Sequence, residues 1–149
     1  MKLAEAFQER ADLNRRIQQL RTRLLDNALV QEGEQPAEDP VSLMSEYDIT
    51  VVLLEEITAK INLANCKTMV DGKSLTELIA KRDALTLRLK AYRELAQAAS
   101  QLYRRATRSE IKILSAVDVK ELQKRADRTA KELRLLDNTI QQTNWTAEL

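Results

Sequence analysis

Only two glycines and two prolines punctuate 149 residues, against abundant Leu, Ala, Glu, Arg, Lys and Gln. That is a composition of long helices with few interruptions, and the interruptions locate the joints. Gly33, Pro36 and Pro40 mark the acidic stretch Gln31 to Asp39, and Asp71-Gly72 makes a second, tight break. A third break carries neither residue: Glu110-Ile111-Lys112-Ile113-Leu114-Ser115 alternates β-branched residues and reads as a short strand.

Hydrophobic periodicity supports four helices, over about 3–28, 40–67, 75–107 and 118–143. In the first, Leu3, Ala6, Leu13, Ile17, Leu20 and Leu24 step by threes and fours, interrupted at Arg10. The second opens on Asp39 as N-cap with Pro40 at its first position, and repeats Leu43, Tyr47, Thr50, Leu54, Ile57, Ile61 and Ala64. Val51, Val52 and Leu53 widen that stripe, so this helix is expected to be the most buried and to touch more than one neighbour. A capping box, Ser74-Leu75-Thr76-Glu77, starts the third, whose stripe continues through Arg82, Leu85, Leu89 and Tyr92 to Tyr103 and Ala106. At that length it would span about 45 to 50 Å. Asp118 with Glu121 opens the fourth, and the tail after Asn144 is expected to be irregular.

Short connections favour antiparallel neighbours. The expected fold is therefore all-α: an antiparallel four-helix bundle with long, coiled-coil-like helices, forming one domain over 1–149. At one end Ala28 to Gln31 and Ile111 to Leu114 are expected to pair as a small two-stranded β ribbon, because an unpaired strand leaves its backbone groups unsatisfied. Sustained heptads and a long third helix predict a homo-oligomer.

Charge and composition exclude several classes. Lys and Arg number 24 against 23 Asp and Glu, so no bulk field attracts a polyanion, and any nucleic-acid contact would rest on a local patch. With no His, the usual general base and the usual nitrogen ligand for zinc or iron are missing. A lone Cys66 makes no internal disulfide, and no apolar run reaches the roughly 20 residues of a membrane helix, which together predict a cytoplasmic protein that does not enter membranes. No pattern calls for a metal or another cofactor.

The anomalies lie in the apolar stripes. Arg10 and Arg82 each sit seven residues beyond the first stripe residue of their helices, Leu3 and Leu75. In an antiparallel bundle they would share a depth, roughly 10 Å from one end, with Asn62 and Asp137. These four define a candidate polar layer, either a register-fixing network or a pocket for a small anion, since a guanidinium takes a carboxylate bidentately. Asn144 and Trp145 are a candidate end cap or interface, because Asn144-Trp145-Thr146, which holds the only Trp, follows the last periodic residue, Thr143, directly.

Other features read as structural. Cys66 beside Lys67 lacks the His a nucleophilic cysteine would use. Glu32, Glu34, Glu38 and Asp39 lack the spacing of a calcium loop and read as a solvated linker. Glu55 and Glu56 lie on a charged helix face. Arg104, Arg105, Arg108 and Lys112 form the densest basic cluster, but no aromatic platform or recognition turn accompanies it, which argues against a nucleic-acid partner.

Several stretches carry a family resemblance: Leu3 to Ala6, Glu9 to Ile17, Asn27 to Glu34, Val70 to Lys73, Arg108 to Ser115 and Thr143 to Thr146. Together they resemble small bacterial proteins labelled septicolysin or left uncharacterised, over essentially the whole chain. The resemblance implies a mostly helical, oligomeric bacterial protein and assigns no catalytic residue. The label implies a membrane-active cytolysin, an alternative role; the helices' polar faces mix both charge signs instead of showing the Lys/Arg bias of a membrane-surface helix. The expected role is a non-enzymatic cytosolic homo-oligomer serving as a scaffold or binding module, with a small-ligand or anion-binding protein as the alternative.

Overall fold

The computed structural model describes residues 1–101 and 111–149. Four helices dominate: α1 Leu3–Asp26, α2 Pro40–Lys67, α3 Leu75–Ala99 and α4 Val119–Thr146. Two short strands, β1 Met69–Val70 and β2 Lys73–Ser74, pair as one ribbon. The chain divides into two compact units, Met1–Val70 with Thr143–Leu149, and Asp71–Gln142.

Local chemistry accounts for the helix starts. Asp39 accepts hydrogen bonds from the N–H groups of Val41 (3.2 Å) and Ser42 (3.3 Å), and Pro40 occupies the first helical position, where no N–H is needed. Ser74 and Glu77 satisfy each other's backbone N–H groups in a capping box. Asp118 takes the N–H of Glu121 at 3.1 Å. At the start of α1, Glu5 reaches back to the N–H of Lys2 at 2.7 Å.

In the first unit α1 packs on α2. Arg16 pairs with Glu46 (2.6 Å) and Arg23 with Glu38, so numbers fall along one helix as they rise along the other, and the pair is antiparallel. Leu3, Ala6, Ile17 and Leu20 meet Leu43, Ile57, Ile61 and Ala64 in the core. Leu3, Leu20 and Ile61 are fully buried, each contributing about 1.5–3 kcal/mol. Thr50 joins them without penalty because its hydroxyl donates to the Glu46 carbonyl at 2.7 Å.

In the second unit Leu75, Leu78, Leu85, Leu89 and Ala96 of α3 are buried, as are Ala126 and Ile140 of α4. Lys81 pairs with Glu132 at 2.9 Å, and the Arg125 guanidinium lies 5.6 Å from the centre of the Tyr92 ring. These two ties make α3 and α4 antiparallel.

Several expectations are corrected. The ribbon is not built from Ala28–Gln31 and Ile111–Leu114, neither of which is a strand. It surrounds Asp71-Gly72, whose positive φ values of 49° and 81° suit a two-residue hairpin turn. Helix α1 ends at Asp26 because Asn27 caps it: the Asn27 amide donates to the Arg23 carbonyl (2.9 Å) and accepts the N–H of Glu38 (3.0 Å). Helix α3 is not the longest. It stops at Ala99, where the Ser100 hydroxyl donates to the Ala96 carbonyl at 2.7 Å. The expected continuation to 107, with Tyr103, Arg104, Arg105, Ala106 and Arg108, lies outside the described residues. The tail is not irregular from Asn144, since α4 runs on to Thr146. Nor is α2 buried all round, because Val51, Val52 and Leu53 are exposed.

Candidate functional site

The tail builds one wall of a cavity in the first unit. Lys2 and Glu148 form an antiparallel bridge, the N–H of Leu3 donates to the Ala147 carbonyl (2.9 Å), and the N–H of Leu149 donates to the Met1 carbonyl (3.0 Å). The Lys2 ammonium meets the Glu148 carboxylate at 2.5 Å. Its hydrogen bond, followed by that of the N-terminal ammonium, holds the Glu148 carboxyl below the usual glutamate range. Leu149 is thereby fixed beside the start of α1.

Helix α2 supplies the opposite wall. Leu53, Glu56, Ile57 and Lys60 fall at i, i+3, i+4 and i+7, one continuous stripe of the helix. With Met1, Glu9 and Leu149 they enclose about 530 Å³. Ile57 is buried and forms the apolar floor, while Glu9, Glu56 and Lys60 are exposed at the rim. Among the described residues, none of these three side chains makes an ion pair or a hydrogen bond. The site thus combines an apolar floor with two carboxylates and one ammonium that have no internal partner.

The residues singled out from sequence fall elsewhere. Arg10 is half-buried, with its guanidinium 5.2 Å from the centre of the Phe7 ring, and Asn62 is exposed; both belong to the first unit. Arg82 and Asp137, both half-buried, belong to the second. Arg82 donates through Nε (3.1 Å) and Nη2 (3.0 Å) to Asp83, its neighbour in sequence. Asn144 is buried and its amide oxygen lacks a hydrogen-bond partner, whereas Trp145 is 56% exposed. Cys66 is exposed.

Sequence reasoning passed over Glu9, Lys60 and Leu149, and read Glu56 as solvated. The stripe of Leu53, Glu56, Ile57 and Lys60 was a readable signal; the docking of the tail was not, because two adjacent residues at a chain end carry no periodicity. Among the described residues no group of three or more Cys, Asp or Glu is placed to hold a metal ion, and no helix is long and apolar enough to cross a membrane.

Fold and site together define a predominantly helical protein of two compact units with a charged, apolar-floored cavity in one of them. The chain belongs to DUF6847, a family of unknown function, whose model matches residues 10–149. It is similar to the crystal structure of a functionally unknown conserved protein from Corynebacterium diphtheriae, at 39% identity, with 100% of this chain and 98% of that one covered and a TM-score of 0.93. No curated relative matches.

Proposed function

We propose that the chain is a non-enzymatic cytosolic scaffold that assembles with copies of itself through the outer face of α2, in coiled-coil fashion. The observation that carries this reading is the apolar character of α2 on both sides. Leu43, Thr50, Ile57 and Ala64, spaced by sevens, are buried. On the opposite side Val41, Ser45, Val52, Ala59 and Leu63 follow steps of four, seven, seven and four. Val41 is 77% exposed, Val52 51% and Leu63 59%. A helix with apolar residues on two opposite faces leaves one of them in water unless a partner covers it, and a second heptad seam suits another helix of the same kind. The lack of any histidine in the sequence, and with it the commonest general base, supports a role in assembly over catalysis.

Sedimentation of the full chain at micromolar concentration tests the reading. The wild type is expected to sediment as an oligomer, and the Val52→Asp/Leu63→Asp variant as a monomer with unchanged helical circular dichroism. A wild-type chain that stays monomeric throughout ends the proposal.

A further inference from the structure

We propose that the cavity between Glu9, the Leu53–Lys60 stripe and Leu149 binds a small amphipathic amine, an ammonium group carried on an apolar body. Its volume of about 530 Å³ falls within the range of small-molecule pockets. Ile57, only 6% exposed, lies at the floor, and the half-exposed Leu53 and Leu149 flank it with apolar surface that the body of a ligand would cover. The polarity of the ligand follows from the rim. Among the side chains Glu9 and Glu56 contribute two negative charges and Lys60 one positive, none neutralised within the described residues, while the ammonium of Met1, which also lines the cavity, is already paired with Glu148 at 3.3 Å. A ligand cation therefore meets two carboxylates and an anion only one ammonium, so the site favours a cation. Two carboxylates at one rim give an ammonium charge-assisted hydrogen bonds while the apolar surface below takes its body.

This inference is independent of self-association. Val52 and Leu63 do not line the cavity, and Val52→Asp adds a carboxylate one turn from Glu56, so the monomeric Val52→Asp/Leu63→Asp variant is expected to bind the amine at least as tightly as the wild type.

Calorimetric titration of the full chain with n-hexylammonium, n-hexanol and n-hexanoate tests it. Hexylammonium is expected to bind at least about tenfold more tightly than hexanol, with hexanoate weakest. Glu9→Gln/Glu56→Gln weakens hexylammonium by about tenfold or more and leaves hexanol unchanged, whereas Lys60→Met tightens it by removing a like charge. Circular dichroism checks that each variant is folded. The proposal is overturned if hexylammonium does not bind at roughly 10 mM, a concentration corresponding to negligible affinity. It is equally overturned if hexanol or hexanoate binds as tightly, or if the folded double Gln variant retains wild-type affinity.

Discussion

Arg23 of α1 grips Glu38, fifteen residues later, with two donors of one guanidinium: Nε reaches Oε2 at 3.0 Å while Nη2 bonds Oε1. The fork closes the loop between α1 and α2, and Asn27 secures it by accepting the N–H of Glu38. Chain between these clips is held without a strand.

The Arg23 hydrogen bond holds the Glu38 carboxyl below its ordinary range, and Lys81 does the same for Glu132. A carboxyl lowered in the folded state stabilises it above the unfolded pKa and loses that contribution as pH falls through the folded value. The melting temperature is therefore expected to hold near neutrality and to drop below about pH 4.5, the ordinary value for Glu. In Glu38→Gln the drop is shallower. Thermal melts of both proteins between pH 7 and pH 3 measure the difference; parallel curves would contradict the assignment.

Gly72 adopts φ +81° with open space where a Cβ would project. Gly72→Ala should lose about 1 kcal/mol from backbone strain alone, with no clash to relieve. Urea denaturation measures it, and a variant as stable as wild type would mean that the turn relaxes.

Leu20 is fully buried while Leu29 is 91% exposed, although both are leucines near the end of the same segment. Leu20→Ala is expected to cost about 2–5 kcal/mol and Leu29→Ala to change stability by less than about 0.5 kcal/mol. Equal effects in denaturant titrations would refute the placement of α1 on α2.

Asn144 is 7% exposed with an unpartnered amide oxygen. Asn144→Asp puts a negative charge there at neutral pH, a loss of at least about 2 kcal/mol. Burial raises the carboxyl's pKa, so the deficit should be largest near pH 7 and shrink toward pH 4, opposite in sign to the Glu38 effect. Denaturation at the two pH values checks this.

Arg82 gives its donors to Asp83, whose side chain is 64% exposed. Arg82→Met should shift stability by no more than about 1 kcal/mol at either low or high salt. A larger loss would favour the expected polar layer, held by this guanidinium, over a local pair with Asp83.

Legibility followed the range of the interaction. Asp39, Ser74 and Asp118 were readable as caps because each bonds an N–H two or three residues away, and the stripes of α1 and α2 were readable because periodicity records which side of a helix avoids water. The strand expected at Ile111–Leu114 failed because β-branched alternation shows only that a segment tolerates extension; a partner must complete the ladder. The polar layer was placed from depth along helices, whereas Arg82 found a nearer carboxylate in Asp83.

By itself the sequence determined four helices, the N-terminal caps of three of them and the Asp71-Gly72 turn, all products of backbone geometry and hydrogen bonds within a few residues. Only the tertiary structure decided that Leu149 lies beside Met1, that Glu9 shares a cavity with Lys60, and that Val52 faces away from α1 while Ile57 faces inward. Periodicity gave the buried stripe of α2 but not its limits, since Val51, Val52 and Leu53 read as a widening of that stripe and are exposed. Those limits came from the surface that α1 covers, and the cavity from the paired chain ends, contacts between residues too far apart in sequence for any local pattern to record them.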